Sequence, residues 1–596
     1  MYYFIKKIQT KEVFTFFKRT LLFVCAGIMA ILINIGGIWS TYDYSKHTIR
    51  GDSELKNDQG EFNSGLDRDY ATAWSYGKME TFNMLYPNFV GGSSHAKLSE
   101  KSHLYNALRN NGVSKHDSQN FIQAVPLYFG PQSFTSGPVY VGAIVWLLFL
   151  MGIFTIKKPI RWVILSLILF SFLLAWGKYL PFLTNLFLDY FPLYNKFRTV
   201  SMILVIAQFA IPLLAVLGLH YFIYSESSYE LKKQIIIRSS LILIGLSIFF
   251  LLFGNLLFNF KSITDSRFPV WFVDALIEDR LGLFKLDIVR SLFLICLTSL
   301  LCLYVLAQNK LNKTQWIYGL ILLVIIDMWF VNKRYLNADD FILKSQVEVP
   351  FKKQDVDNII HQDTSIFRVY NLNERLDQGA RTSYFHHSLG GYHGAKLGKY
   401  QDIIDRHISV GNMNVINMLN TKYLIVPDPN GQLVVQQNIE ALGNAWFVDS
   451  IHWVKDSNQS IESLSQFSPT TTAIIDEKYK KHIDASVFNG ENSIQLKSYL
   501  PNKLTYHVNS KRSGFAVFSE IFYPKGWTAY IDGLSVSHFP VNYLLRGLVV
   551  PDGTQEIVFE FKPKSFFISA KISFFASCLL IITGLITFVK MFLFRR

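Results

Sequence analysis

The side chains that could do chemistry in this chain are few, and most of them argue against familiar sites. His386, His387, His393 and His407 stand close together, with Asp402 and Asp405 nearby. Imidazole and carboxylate together are zinc-ligand chemistry. Their spacing matches no zinc pattern, and Gly390, Gly391, Gly394 and Gly398 mark a loop, so no metal site is expected. The same glycines do not build a phosphate loop, because neither Lys396 nor Lys399 is followed by Ser or Thr. No serine–histidine–acid spacing, ATP-hydrolysis motif or dinucleotide fingerprint is present, and no cofactor is expected. Lys196 and Arg198 directly precede an apolar run that starts at Val200. There an ammonium and a guanidinium can meet a lipid phosphate at headgroup depth, and Arg50 can serve likewise. The plainer role for such residues is to anchor a helix end by snorkelling. Asp327 lies inside another apolar run, near its predicted outer end. A charge near mid-membrane costs roughly 2.5–3.5 kcal/mol, so this carboxylate should be paired, functional, or snorkelled to the surface.

These residues need elements to hold them, and composition says which. The chain has 596 residues, 50% hydrophobic and 15% aromatic, and only 17% are charged. A soluble protein carries about a quarter charged residues. The deficit is concentrated in Phe/Leu/Ile runs that alternate with ordinary polar stretches. A helix needs roughly 20 apolar residues to cross a bilayer. Segments 20–39, 139–156, 160–176, 200–222, 239–258, 288–306, 316–331 and 566–589 qualify as candidates, the third and seventh being the shortest. Trp162, Trp176, Trp316 and Trp329 flank them as interfacial belts do. The first segment is too long for a signal-peptide core and no small-residue cleavage pattern follows, so it is expected to stay attached. The net charge of +14 fits membrane topology rather than nucleic-acid binding. Lys6, Lys7, Lys11, Lys18 and Arg19 should stay in the cytoplasm, and eight crossings return Lys590, Arg595 and Arg596 to the same side. Cys25, Cys296, Cys302 and Cys578 all fall in apolar runs, which leaves the polar regions without a disulfide.

This topology exports 40–138, a short Pro- and aromatic-rich loop at 178–199 that is re-entrant or interfacial, and 332–565. The last region begins as mixed structure, with a strand at 367–371, a short helix at 414–420 and a strand at 423–427. It then turns β-rich. Segments 445–454 and 470–475 are strand-like, and 493–496, 503–509, 514–521, 528–531, 544–550 and 556–561 alternate with period two. Asp532-Gly533 and Asp552-Gly553 are hairpin-turn signals. Strands spaced in this way suggest a β-sandwich. The fold class expected is a polytopic α-helical membrane protein of about eight transmembrane helices, with an exported mixed α/β to β-sandwich domain before the last helix. The expected division is 1–39 (N-terminus and first helix), 40–138 (exported loop), 139–331 (six helices), 332–490 (mixed α/β), 491–565 (sandwich) and 566–596 (last helix and tail).

Several runs carry a resemblance. Gly526-Trp527-Thr528-Ala529-Tyr530-Ile531-Asp532-Gly533, with Asn542-Tyr543, Arg546-Gly547 and Val550-Pro551-Asp552-Gly553, resembles the C-terminal sandwich of the YfhO family of bacterial membrane proteins. Tyr70-Ala71-Thr72-Ala73-Trp74-Ser75-Tyr76-Gly77, Glu80-Thr81-Phe82 and Pro87-Asn88-Phe89 are similar to that family too. So are Phe191-Pro192-Leu193-Tyr194-Asn195-Lys196-Phe197-Arg198, Gly390-Gly391-Tyr392-His393-Gly394-Ala395-Lys396 and Leu419-Asn420-Thr421-Lys422-Tyr423. The resemblance implies a GT-C-like glycosyltransferase of the bacterial cytoplasmic membrane. Such enzymes move a sugar from a polyprenyl-phosphate carrier to a cell-envelope glycan outside the cytoplasm. It also implies a further N-terminal stretch of roughly two hundred residues, about one domain, ahead of Tyr42-Asp43-Tyr44. That stretch would include the outside loop where GT-C enzymes keep an acidic residue, so the chain as it stands is expected to lack that base.

Transfer of this kind needs a carboxylate to activate the acceptor hydroxyl and cations to hold the leaving phosphate. Among Asp43, Asp52, Glu54, Asp67, Asp69 and Glu80, the resemblance singles out Glu80 as general base or positioning group. A solvated loop carboxylate is its bland alternative. Arg198, Lys196 and Arg50 are the phosphate candidates. The partners expected are membrane lipid, a polyprenyl-phosphate-linked sugar and a cell-envelope glycan acceptor. The competing reading is a non-enzymatic membrane scaffold whose exported sandwich binds glycan or a partner protein.

Overall fold

The computed structural model describes residues 13–56, 62–308, 313–483 and 491–593. Each of the eight apolar runs forms a helix: α1 (Val13–Ser45), α2 (Ala143–Thr155), α3 (Ile160–Ala175), α4 (Leu204–Tyr224), α5 (Tyr229–Leu257), α6 (Val270–Ala307), α7 (Lys313–Asn332) and α8 (Lys564–Leu593). Among the described residues, six of these are long and apolar enough to cross a membrane. The short ones are α2 and α3: the third segment is short as expected, whereas the second, and not the seventh, is the other. The second run is shortened because it turns at Gly142 (φ 114°), so that 139–141 stay outside the helix. The chain divides into two compact units: a central unit, Asp67–Ile342, and a discontinuous unit, Met1–Leu66 with Leu343–Arg596.

In the central unit α2 packs most intimately on α4. A β-carbon on Gly218 would lie 2.2 Å from the Gly152 Cα, so the two backbones touch where both side chains are absent. Small residues are what allow such an approach between membrane helices. Gly218→Ala should therefore cost about 1–2 kcal/mol, the penalty of overpacking a filled contact. A lowered melting temperature in detergent would be the readout, and an unchanged one would show that the helices part freely.

Asp327 is paired and buried. Its carboxylate meets Arg290 at 2.7 Å, accepts from the Tyr140 hydroxyl at 2.7 Å, and accepts from the Ala143 N–H at 2.8 Å. It thereby caps the first turn of α2, whose N–H groups have no helical partner.

Helix α6 runs 18 residues ahead of the predicted span 288–306. The sequence does not show this extension as apolar, because Asp274, Glu278, Asp279, Arg280, Lys285 and Asp287 interrupt it. Several of these are satisfied internally. Asp279 accepts from the N–H groups of His103 and Leu104, at 2.9 Å each, and so caps the helix His103–Asn110. Asp287 takes both terminal nitrogens of Arg334 at 2.7 Å and the Asn88 N–H at 2.9 Å. Arg280, fully buried, forks onto Asp265 at 2.6 and 2.9 Å and donates to the carbonyls of Pro126, Leu127 and Phe260.

In the discontinuous unit α1 and α8 run side by side, joined by the Ser573 hydroxyl donating to the Ile33 carbonyl. Their other faces are exposed Phe, Leu and Ile, as lipid contact requires. The segment after α1 is woven into distant chain. Gly398 donates to the His47 carbonyl (3.0 Å), Ile49 donates to the Lys396 carbonyl (2.9 Å), and Arg50 Nε donates to the Gly394 carbonyl (2.8 Å).

The sandwich strands are β1 (Ala445–Val448), β2 (Ser493–Leu500), β3 (Lys503–Asn509), β4 (Gly514–Ile521), β5 (Trp527–Ile531), β6 (Leu534–Val536), β7 (Phe539–Val541), β8 (Leu545–Val550) and β9 (Glu556–Phe561). One sheet has the order β6-β5-β9-β3-β2 and the other β7-β8-β4-β1, every pair antiparallel. Tyr506, Phe518, Leu548 and Phe559 fill the space between them. The period-two expectation fails at β4. Ala516 and Phe518 face the sandwich core while Phe515 and Val517 face a second core shared with the mixed region, so the strand is apolar on both sides. Asp532-Gly533 (φ 47° and 83°) closes the two-residue hairpin between β5 and β6, with Ile531 opposite Leu534. Asp552-Gly553 does not close a hairpin; it carries the chain from β8 in one sheet to β9 in the other.

The mixed region holds a three-stranded sheet, Arg368–Asn371 parallel to Thr421–Pro427, which pairs antiparallel with Leu433–Gln437. It also holds a parallel pair, Ser450–Val454 with Thr472–Asp476. Asn542 exchanges two 2.8 Å hydrogen bonds with the backbone of Ile474, and the Tyr543 hydroxyl donates to Asp402 at 2.5 Å. That family-like pair therefore clips the sandwich to the mixed region, Asn542 through the parallel pair and Tyr543 through Asp402.

Candidate functional site

The run 70–77 begins with the short helix Arg68–Thr72, whose first turn is capped by Asp67. Arg68 binds Asp189 at 2.6 Å and Asn185 at 3.1 Å, which ties this helix to the helix Pro181–Tyr190. Ser75 accepts from the Lys178 N–H (2.9 Å), the Tyr76 N–H donates to the Ala175 carbonyl (2.8 Å), and Trp176 Nε1 donates to the Thr81 hydroxyl (3.0 Å). The end of α3 is thus held against the stretch 75–81.

Glu80 is 2% exposed and serves as the acceptor of a three-donor cluster. One oxygen takes the Gly77 N–H at 3.0 Å. The other takes the Tyr128 hydroxyl at 2.9 Å and Gln132 Nε2 at 2.7 Å. Burial pushes its carboxyl up to about 7, and the three donors restrain that rise. Burial, with the Glu80 charge beside it, raises the Tyr128 phenol well above its ordinary range.

Tyr128 and Gln132 also line a cavity of about 640 Å³ in the central unit. Its walls come from the stretch after Asp67, from 94–95, from 124–134, from the turn after α3 and from the connection between α5 and α6. Asp69, His95, Lys178 and Arg267 supply the titratable groups, and Phe134 and Phe268 the aromatic surface. Lys178, Asp69, His95 and Arg267 are each exposed. The cavity therefore combines accessible cations with an accessible carboxylate and imidazole, backed by a buried carboxyl poised near neutrality.

The residues expected from sequence sit as follows. Glu80 lies behind the cavity wall and meets the cavity through Tyr128 and Gln132. Arg198 donates to the Tyr70 hydroxyl at 2.6 Å and stacks on the Trp74 ring, its guanidinium 5.0 Å from the centroid. Trp74 packs edge-on against Phe134 of the cavity wall, so Arg198 stands one aromatic layer back. Lys196 lies in the single turn Tyr194–Lys196 just before it. The flanking Leu193 and Thr199 have φ of 66° and 69°, unusual for residues with side chains. Arg50 belongs to the discontinuous unit, where Gly394 accepts from its Nε. Lys178 and Arg267 were missed as site residues. Lys178 follows Trp176 and Gly177 at the end of an apolar run, the usual signature of an anchoring residue, and Arg267 sits in a loop with no motif around it.

The histidines disperse. His386 contacts Asp357 at 3.0 Å beside Arg381, and His407 meets the Ile461 carbonyl at 2.9 Å. Among the described residues no three His, Cys, Asp or Glu side chains gather as a metal site would require.

The family model described as "Bacterial membrane protein YfhO" matches residues 430–573, which span the sandwich and the first third of α8. Over that stretch the chain is similar to the YfhO family of bacterial membrane proteins. No curated protein and no solved structure matches it. The stretch that matches YfhO holds Asn542-Tyr543 and the Asp532-Gly533 turn. The central unit with its cavity lies outside the match.

Proposed function

We propose that this YfhO-family chain is a GT-C-like transferase of the bacterial cytoplasmic membrane, moving a sugar from a polyprenyl-phosphate carrier to a cell-envelope glycan. The observation that carries the reading is the 640 Å³ cavity, where Lys178 and Arg267 share walls with Asp69, His95 and the Glu80-held Tyr128. In this reading both termini are cytoplasmic and the cavity and sandwich face outward. The positive-inside pattern of Lys157, Lys158, Arg161, Lys232, Lys233 and Arg238 supports that orientation.

The chemistry follows from the groups available. An acceptor hydroxyl attacks the anomeric carbon of the donor and a C–O bond forms. The bond from that carbon to the phosphate oxygen breaks, and polyprenyl phosphate leaves with the bonding electrons. Lys178 and Arg267 hold the negative charge that grows on the leaving phosphate. Asp69 or His95 takes the hydroxyl proton. Glu80 acts as a positioning residue, keeping Tyr128 and Gln132 on the cavity wall. Arg198, with Lys196, steadies the aromatic layer and meets the carrier at headgroup depth.

Transfer of labelled sugar from polyprenyl-phosphate donors, by the full chain reconstituted in liposomes, tests this. The Lys178→Ala, Arg267→Ala double variant should lose more than about tenfold in kcat/KM while its melting temperature holds. Transfer by the double variant at the wild-type rate would overturn the assignment of the cations. Absence of transfer by the unsubstituted chain with every donor would overturn the reaction class.

A further inference from the structure

Two family-like runs, 390–396 and 419–423, are left without a role by the transferase reading. They converge on one cleft in the discontinuous unit. Its deeper part is a cavity of about 300 Å³ walled by Arg368, His387, Asn420, Asn444, Tyr499 and Glu520. A second hollow of about 370 Å³ shares Arg368, Ser383 and Ser388 with it and continues past Tyr392, His393 and Lys396. The mixed region supplies most of the walls, while β2 and the end of β4 supply Tyr499, Ser519 and Glu520. The cleft thus exists only because the sandwich is fastened to the mixed region.

Its polar groups are fixed in place. Arg368 Nη1 donates to the carbonyls of Leu419 (2.7 Å) and Ser519 (3.0 Å), which sets the plane of the guanidinium. Arg368 Nη2 stands 3.8 Å from Glu520 Oε1. That ion pair is longer than a hydrogen bond, so the Glu520 carboxylate can still accept one from a ligand. Asn420 is held at φ 55° by donating to the Ile366 carbonyl (2.9 Å) and to Asn444 Oδ1 (3.2 Å). The Tyr499 ring, half-buried, packs on the His387 ring at 5.8 Å between centroids.

We propose that this cleft binds a short, neutral, pyranose-containing saccharide. A sugar hydroxyl donates one hydrogen bond and accepts others. A carboxylate and a guanidinium 3.8 Å apart offer an acceptor beside a donor, the complement of two adjacent hydroxyls. The amide side chains of Asn420 and Asn444 extend this edge. The C–H face of a pyranose is apolar and flat, and Tyr499 gives it a ring to lie on. The volume lies at the lower end of the roughly 300–1,000 Å³ of small-molecule sites. A phosphate or other dianion fits worse, because Glu520 stands in the same corner as Arg368. The inference goes beyond the transferase reading and does not depend on it, since every residue lies outside the central unit.

The test uses the full chain in a zwitterionic detergent that carries no sugar headgroup. Calorimetric titration is run with mono- to tetrasaccharides of glucose, galactose and their N-acetylamino forms, and with inorganic phosphate. At least one saccharide should bind saturably and phosphate should not displace it. Glu520→Gln and Tyr499→Leu should each weaken binding about tenfold, the worth of one charge-assisted hydrogen bond or one stacked ring. Their melting temperatures should stay at the wild-type value. The Lys178→Ala, Arg267→Ala variant should bind like wild type, which separates this site from the transfer site. Failure of every saccharide to bind, displacement by phosphate, or undiminished binding by both variants would overturn the proposal.

Discussion

Replacing Arg280 with methionine should lower the unfolding free energy by about 3–5 kcal/mol, the cost of leaving one partner of a buried ion pair alone. The substitution strands the Asp265 carboxylate, 5% exposed, and removes the donor shared by the carbonyls of Pro126, Leu127 and Phe260. Among the described residues, Asp265 would keep only the Ser262 N–H at 2.7 Å. Removing both charges, as Arg280→Met with Asp265→Leu, should recover a large part of the loss, because two apolar side chains leave no charge uncompensated. Denaturant titration in mild detergent reads the difference. A loss under about 1 kcal/mol would mean that the pair behaves as a solvated surface pair. Pro126 and Ser262 also line the large cavity, so the proposed transfer should fall along with stability in the single variant.

The second large effect is a dependence of stability on pH that traces to Glu80. Its folded carboxyl sits at about 7, above the ordinary value of 4.5. The folded state therefore holds this proton more tightly than the unfolded state does. The contribution is complete below about pH 4.5 and is lost as pH rises towards 7 and beyond. The shift corresponds to about 3 kcal/mol, of which about 2–3 kcal/mol should disappear between pH 5 and pH 8. Glu80→Gln removes the titrating group, so the unfolding free energy of that variant should vary less across the same window. Matching slopes in wild type and variant would show that water reaches Glu80 and that its carboxyl titrates normally. The variant also turns an acceptor into a donor facing Tyr128 and Gln132, so its stability should be lower throughout the range.

The eight apolar helices were legible from their long runs with few charges, and six of them reach the length that a crossing needs. Most of the sandwich was legible because half-buried strands alternate, and Asp532-Gly533 marked its tightest turn. Strand β4 hid the cover on its second face, since an apolar strand reads alike whatever it packs on. The extension of α6 was hidden for the opposite reason. Its charges, from Asp274 to Asp287, resemble a solvated loop, and only their partners in 88, 103–104, 265 and 334 make them buried. Glu80 was legible as a residue worth naming, through the family-like run around it. Its burial was not, because Tyr128 and Gln132 lie about fifty residues onward with no periodicity linking them. Lys178 and Arg267 carry no local pattern at all. For Asp327 the sequence leaves pairing, function and snorkelling open; pairing is what the structure holds, and nothing local identifies Arg290 or the start of α2.

The interlacing of 47–50 with 394–398 sets a timetable for biosynthesis. Arg50 and the carbonyl it reaches on Gly394 are 344 residues apart. At roughly 5–20 residues per second, ribosomes need about 20–70 s to make the intervening chain. Throughout that delay the first helix must wait in the bilayer with its trailing segment unmatched, and the nascent protein offers a protease that segment until the C-terminal half arrives to cover it.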